Sequence, residues 1–231
     1  MTDNRPTALL VRSVEWYTDT LFDLRLERPD VTFQPGDCIP LYTTDGMMSR
    51  PYSLASGIHD DEWRFLIRCM AGGQVSPYLG RLRPGDQVLG GVPFGWFRPG
   101  RHHDTHPPVF IATGTGIAPF LSALRSFPER PPLHCLHGVR RRRDAVDYDW
   151  LARHCPVQLT VSREHHHDAH HGRVTDLLPK IPLSPDTHYY LCGLDAMIVE
   201  VGSWLESRGV PRTSIHCECF FNAPQTGQAD R

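Results

Sequence analysis

Val109-Phe110-Ile111-Ala112, followed by Gly114-Thr115-Gly116-Ile117-Ala118-Pro119, is the stretch that decides the fold of this chain. Four apolar residues in a row are too few for a helix and read as a buried strand. Phe120, Leu121 and Leu124 come next at helical spacing. Strand, glycine turn and helix together present helix-start amides to an anion, the geometry that cradles a nucleotide pyrophosphate. The third glycine of the dinucleotide fingerprint is replaced by Pro119, so the turn is not of that form.

Downstream, short apolar runs at 133–136, 157–161 and 189–192 read as further strands. Met197, Ile198, Val201, Trp204 and Leu205 form the apolar stripe of a helix, with Asp195 placed to cap its start and Gly209 to end it. Strands alternating with helices predict a parallel sheet. Upstream the pattern differs. Phe22, Leu24 and Leu26 alternate with Asp23, Arg25 and Glu27, and Trp63, Phe65, Ile67 and Cys69 alternate with Arg64, Leu66 and Arg68. These read as half-buried strands. Pro35-Gly36-Asp37 and Pro84-Gly85-Asp86 are turn signals. Short strands with regular turns predict a small antiparallel barrel. The expected organisation is an antiparallel β-barrel over 1–100, a polar, proline-bounded linker over 101–108, and an α/β parallel-sheet domain over 109–231.

Composition narrows the class. The chain has 231 residues, 40% hydrophobic and 22% charged, with a net charge of −2. Such a balance gives no electrostatic footprint for nucleic acid. No apolar run reaches the ~20 residues of a membrane span. The first residues lack the apolar core of a signal peptide. Seven scattered cysteines without a Cys-x-x-Cys pair fit reduced thiols, so a cytoplasmic protein is expected. Iron–sulfur ligand spacing is absent, which makes any such partner a separate chain.

Two barrel segments carry the next reading. Gly72-Gly73-Gln74-Val75-Ser76-Pro77 places a favoured N-cap, Ser76, before a favoured first helical residue, Pro77. Arg50-Pro51-Tyr52-Ser53 offers a cation, a ring and a hydroxyl in sequence. Together with the Gly114 turn, and in this order, these motifs resemble the ferredoxin/flavodoxin–NADP reductase family. The resemblance runs over nearly the whole chain, roughly residues 33–220, and implies FAD as cofactor and NADP(H) as co-substrate. It assigns Arg50 to flavin phosphate, Tyr52 to stacking on the isoalloxazine, and Ser53 to flavin N5. It adds Pro51, Ile67, Arg68 and Met70 to the flavin contacts, and Gly73, Gln74, Val75 and Ser76 to the diphosphate segment. FMN remains the alternative flavin.

On the nucleotide side the resemblance implicates Gly114, Thr115 and Gly116, then Gly138, Val139 and Arg140. Ser162 and Arg163 together suit a 2′-phosphate, Arg173 adds charge, and Glu164 keeps the ribose of NAD open as an alternative. Cys192-Gly193-Leu194-Asp195-Ala196-Met197 is similar to the family's Cys-Gly-x-x-x-Met, whose cysteine sits beside the nicotinamide. That reading includes Cys192, Gly193, Leu194 and Met197 as nucleotide contacts.

Residues 214–221 alternate, so His216, Glu218 and Phe220 share one strand face. By resemblance Phe220 covers the isoalloxazine, and Glu218 joins Ser53 and Cys192 in a cluster at the flavin. The chain runs on past the family's terminal aromatic, and Phe221 or the tail is expected on the adenine side. His165, His166, His167, His170 and His171 lack ordered ligand spacing, so no functional metal is expected there. Residues 140–143 are four arginines, and Arg142 and Arg143 are candidates to steer an acidic ferredoxin or flavodoxin. The implied activity is hydride exchange between NADP(H) and FAD and single-electron exchange with such a partner, by a monomer. The alternatives are an oxygenase-reductase component, a free-flavin reductase, and an electron-transfer subunit of a larger enzyme.

Overall fold

The computed structural model describes residues 5–184 and 186–220. Its first sheet contains β1 (Thr7–Thr18), β2 (Leu21–Glu27), β3 (Cys38–Tyr42), β4 (Ser49–Ser53), β5 (Glu62–Arg68) and β6 (Gln87–Gly90). They lie in the order β4-β3-β6-β1-β2-β5, every neighbour antiparallel. Two register shifts in β1, at Val11/Ser13 and Trp16/Thr18, curl the sheet. The outer strands β4 and β5 meet, and the Ala55 amide donates to the Arg64 carbonyl at 2.8 Å. Phe22, Leu24 and Leu26 of β2 fill the interior against Trp63, Phe65 and Ile67 of β5. At the two predicted turns, Asp37 accepts the Gln34 amide and Asp86 accepts the Arg83 amide, at 2.8 and 2.7 Å.

The second sheet contains β7 (Pro108–Thr113), β8 (His134–Val139), β9 (Val157–Val161), β10 (His170–His171), β11 (His188–Gly193) and β12 (Ile215–Cys219). Its order is β10-β9-β8-β7-β11-β12, parallel throughout. The chain builds outward from β7 to β10 and then returns to place β11 on the other side of β7. That reversal opens a crevice at the carboxyl ends of β7 and β11, where α/β sheets bind ligands. Helices α2 (Ala118–Ser126), α3 (Tyr148–His154) and α4 (Asp195–Glu206) cover this sheet, while α1 (Val75–Leu79) belongs to the barrel.

Several expectations change. β2 and β5 are buried on both faces: Asp23 is 0% and Arg64 4% exposed. At Arg64 that polar face meets the second half of the molecule and not water, while Glu27 at the strand end stays exposed. Leu21, Ala55, Leu66 and Phe97 share one apolar cluster with Phe110, Leu121, Leu124 and Tyr190, joining the two halves. Ser76 does not cap α1. Gln74 holds the N-cap position, and the Ser76 hydroxyl accepts the Met70 amide at 3.0 Å. Asp195 is the first residue of α4; Leu194 precedes it as N-cap, its amide held by the Thr113 hydroxyl at 2.9 Å. The last strand stops at Cys219, and Phe221 with the tail lies outside the described residues. The short edge strand β10, inside the histidine-rich segment, has no signal in the sequence pattern.

Candidate functional site

Ser53 ends β4 and Glu218 lies in β12, 165 residues apart, yet the Ser53 hydroxyl donates to Glu218 Oε1 at 3.1 Å. The Cys38 thiol in β3 donates to the same oxygen at 3.4 Å and lies 3.4 Å from Ser53 Oγ. Antiparallel pairing of Cys38 with Ser53 sets the two side chains next to each other, and β12 brings the carboxylate. Burial raises the Glu218 carboxyl above the ordinary value. Burial, then the Glu218 charge, pushes the Cys38 thiol up to about 12, so it stays a donor. Cys192, opposite Glu218 in the β11–β12 register, is fully buried, and burial followed by the Glu218 charge raises its thiol well above the usual value. Cys192 packs in the apolar cluster between the halves, and Cys38 is the thiol that bonds to the carboxylate. Sequence reasoning missed Cys38, whose role depends on a contact 180 residues away.

Phe220 closes this face. Its amide donates to the Gly193 carbonyl at 3.2 Å, and its ring packs against the cluster that holds Cys192. Tyr52 is half-buried against the barrel core, and Arg50 is exposed, with a hydrogen bond to the carbonyl of its neighbour Ser49. Pro51 and Met70 are exposed as well. A cleft of about 470 Å³ lies between Thr43, Asp45, Gly73, Gln74, Tyr78 and Arg81. The side chains of Ile67 and Val75 fill the barrel interior, and those of Val139 and Met197 fill the second half. Any contact these four make to a ligand is therefore through backbone.

The crevice turn is built tightly. Gly114 has φ +54, a conformation glycine adopts without strain. Gly116 is held by packing: a Cβ there would lie 2.3 Å from the Cys192 carbonyl oxygen. Gly116→Ala is expected to cost about 2 kcal/mol and to move the turn off β11; chemical denaturation of the two proteins checks the first, and NADPH affinity the second. His137, fully buried in β8, donates from Nε2 to the Gly114 carbonyl at 3.0 Å. Burial drops its pKa to about 4, so it is a neutral brace for the turn. Gly138 packs directly beneath, near Thr160 and Val174.

Positive charge gathers at this crevice, with Asp144 as its acidic neighbour. Arg163 donates its amide to the Arg140 carbonyl at 2.9 Å, which sets the two side chains side by side. Arg68 reaches across from the barrel to the Gly114 turn, its Nη2 lying 3.8 Å from where a Gly114 side chain would begin. Burial, and then repulsion by Arg140 and Arg163, lowers the Arg68 pKa, although Asp144 opposes this. Arg68 therefore belongs with the nucleotide side as much as with the flavin side. Ser162 is exposed beside Arg163. Glu164 turns its carboxylate to the Arg142 amide at 2.7 Å. Arg173 begins a 3₁₀ turn, with its amide bound to Asp176 at 2.8 Å and its side chain exposed. Arg142 is not a free steering charge, because it pairs with Asp168 and Asp149 and lies over Tyr148; Arg143 stays exposed.

These residues fit the two groups implied by the fold. Three convergent arginines around a glycine turn suit an anionic nucleotide. The exposed Arg50 guanidinium, the half-buried Tyr52 ring and the Ser53 hydroxyl, in order along β4, suit a flavin phosphate and its ring system.

Comparison with known proteins agrees. Residues 11–98 match the oxidoreductase FAD-binding domain family, and residues 110–202 match the oxidoreductase NAD-binding domain family. The chain is 30% identical over 201 residues to the toluate 1,2-dioxygenase electron transfer component of Pseudomonas putida, covering 82% of this chain. It spans 59% of that relative's length and 63% of a similar reductase component from a Ralstonia species. It is 30% identical over 242 residues to the flavodoxin/ferredoxin–NADP reductase of Rhodobacter capsulatus, covering 89% of this chain and 87% of that one. A ferredoxin NADP+ reductase structure from Neisseria gonorrhoeae superposes with a TM-score of 0.84 at 24% identity, over 94% of this chain and 99% of that one. With the crevice, the two domain matches and a relative aligned over nearly its full length, the chain belongs to the ferredoxin/flavodoxin–NADP reductase family.

Proposed function

We propose that this protein passes hydride from NADPH to its bound FAD and then single electrons to a ferredoxin or flavodoxin, the reverse flow being equally allowed. The observation that carries this reading is the Ser53–Cys38–Glu218 cluster, assembled from both halves beside Phe220 and the crevice turn. The bound flavin supplies hydride acceptance and one-electron release. The chain supplies binding and geometry. Arg50, Tyr52 and the 73–76 segment hold the flavin, and the boundaries 1–100, 101–108 and 109–231 divide the two binding units. Glu218 accepts a hydrogen bond from the Ser53 hydroxyl and so fixes the orientation of that side chain, which would lie at the N5 edge of the flavin. Phe220, packed against the cluster that contains Cys192, would cover the flavin ring and would have to yield for the nicotinamide to reach it. Gly114, Thr115 and Gly116 receive the pyrophosphate, and Arg68 and Arg140 balance its charge. Ser162 and Arg163 take the 2′-phosphate, with Arg173 adding charge; Glu164, already bound to an amide, does not compete as a ribose acceptor.

Arg163→Ala is expected to raise KM for NADPH roughly 10–100-fold, the value of one charged hydrogen bond, and to leave KM for NADH nearly unchanged. Steady-state reduction of a one-electron dye measures both. An equal loss with the two nucleotides would remove Arg163 from the 2′-phosphate. A second reading, reductase component of an oxygenase, draws on the matches to such components; it predicts preference for NADH in the same assay. Among the described residues no helix is long and apolar enough to cross a membrane. The monomeric state and the cytoplasmic location remain part of this proposal.

A further inference from the structure

We propose that His102, His188 and His216 form a binding site for one zinc-class divalent transition-metal ion, clamping the segment before β7 onto the sheet. The three come from separate parts of the chain: the turns at 101–106, the first residue of β11 and the second residue of β12. One ligand nitrogen from each lies within 4.8 Å of the others. His188 Nδ1 and His216 Nε2 are 2.7 Å apart, with ring planes 11° from parallel. The His102 ring centroid lies 4.4 Å from that of His188, and Tyr190 stacks on His216 at 4.5 Å, bracing that ring.

No carboxylate pairs with any of the three among the described residues, so an acidic neighbour does not explain the cluster. Zinc–nitrogen bonds of about 2.0–2.1 Å at a tetrahedral angle set ligand nitrogens about 3.3 Å apart. The ion therefore opens the His188–His216 pair by roughly half an ångström and draws in the exposed His102, leaving a fourth position for water.

A second group, His166, His167 and Asp168, is equally close-set. It is the weaker candidate, because Asp168 is already bonded to Arg142 and to His166, and all three residues lie on one loop. The proposed site has a consequence the loop lacks. His216 shares the face of β12 with Glu218, two residues and about 7 Å away. An ion there fixes that strand to the segment joining the two halves.

The test uses the flavin-loaded protein stripped with a chelator and titrated with Co2+ as the probe. One equivalent is expected to give tetrahedral cobalt absorption at wavelengths longer than the flavin bands, reversed by Zn2+. Zn2+ is expected to raise the melting temperature. His102→Ala, on an exposed turn, and His188→Ala are each expected to weaken Co2+ binding at least ~10-fold and to abolish the thermal shift. Each variant is accepted only with an unchanged flavin spectrum. The double variant His166→Ala/His167→Ala is expected to bind as the parent does. Absence of a saturable cobalt signal, or a signal that survives His102→Ala and His188→Ala and vanishes in the double variant, would overturn the site.

Discussion

Glu218→Gln is expected to slow reduction of the bound flavin by NADPH about 10²-fold, the effect of misplacing a reacting group by an ångström. Glu218 accepts from both Ser53 and Cys38 through one oxygen. An amide oxygen can still accept, but the amide nitrogen brings two donors to a site already supplied with them, and Ser53 then turns. The expected stability change has the opposite sense. Burial raises the Glu218 carboxyl in the folded state, so its contribution to stability is full below its unfolded value and is lost as pH rises through the folded one. Above the raised value the charged carboxylate is a burden on the fold that glutamine removes. The variant should therefore be slow yet at least as heat-stable as the parent, and a pH profile of the reduction rate should lose the step that Glu218 contributes. Stopped-flow absorbance and thermal melts measure the two. A variant that is both slow and unstable would mean that Glu218 acts through the fold alone.

Arg64→Ala is expected to cost roughly 3–5 kcal/mol, the penalty for stranding a buried charge, and to lower the melting temperature by about 10 °C. Arg64 donates to Asp23 at 2.6 Å and makes a two-pronged contact with Asp147, which Arg125 also reaches at 3.2 Å. Asp23 belongs to the barrel and Asp147 to the second half, so this network and the shared apolar cluster together fix the two halves in place. Asp147 sits at φ 58, the one non-glycine residue with positive φ among those described, and holds that conformation because its carboxylate is bound twice. Burial pushes the Asp147 carboxyl up, but Arg64 and then Arg125 outweigh it, and the net shift is downward. The stabilisation is therefore present above the ordinary carboxylate value and is lost as pH falls through the lowered one. The gap between parent and Arg64→Ala should narrow in acid. A melting temperature within a degree or two of the parent at neutral pH would contradict this account of the interface.

Much of the fold was legible because it follows local rules. The run 109–112, the glycine turn after it and the alternation in 22–27 each carry their own periodicity, and the structure realises them as β7, a 3₁₀ turn and β2. Asp23 and Arg64 misled because alternation identifies a polar face without saying what covers it. Here the other half of the molecule covers it. Ser76 misled for a related reason: a hydroxyl near a helix start can serve the preceding loop, and the Met70 amide claims it. Cys38, His137 and the histidine trio had no local signal at all, since each acquires its partners from strands far along the chain. The Ser53–Glu218 contact is what the resemblance implies, not what spacing shows; Cys38 bonds to the same oxygen, and Cys192 lies opposite Glu218 in the strand register.

The most direct measurement is an anaerobic one. Purified protein carrying its flavin is mixed in a stopped-flow instrument with NADPH, and separately with NADH, while the visible flavin absorption is followed. The account predicts rapid, complete bleaching by NADPH and bleaching at least about tenfold slower by NADH, the difference of one charged contact to the 2′-phosphate. Bleaching that is absent with both nucleotides, or as fast with NADH as with NADPH, would contradict it.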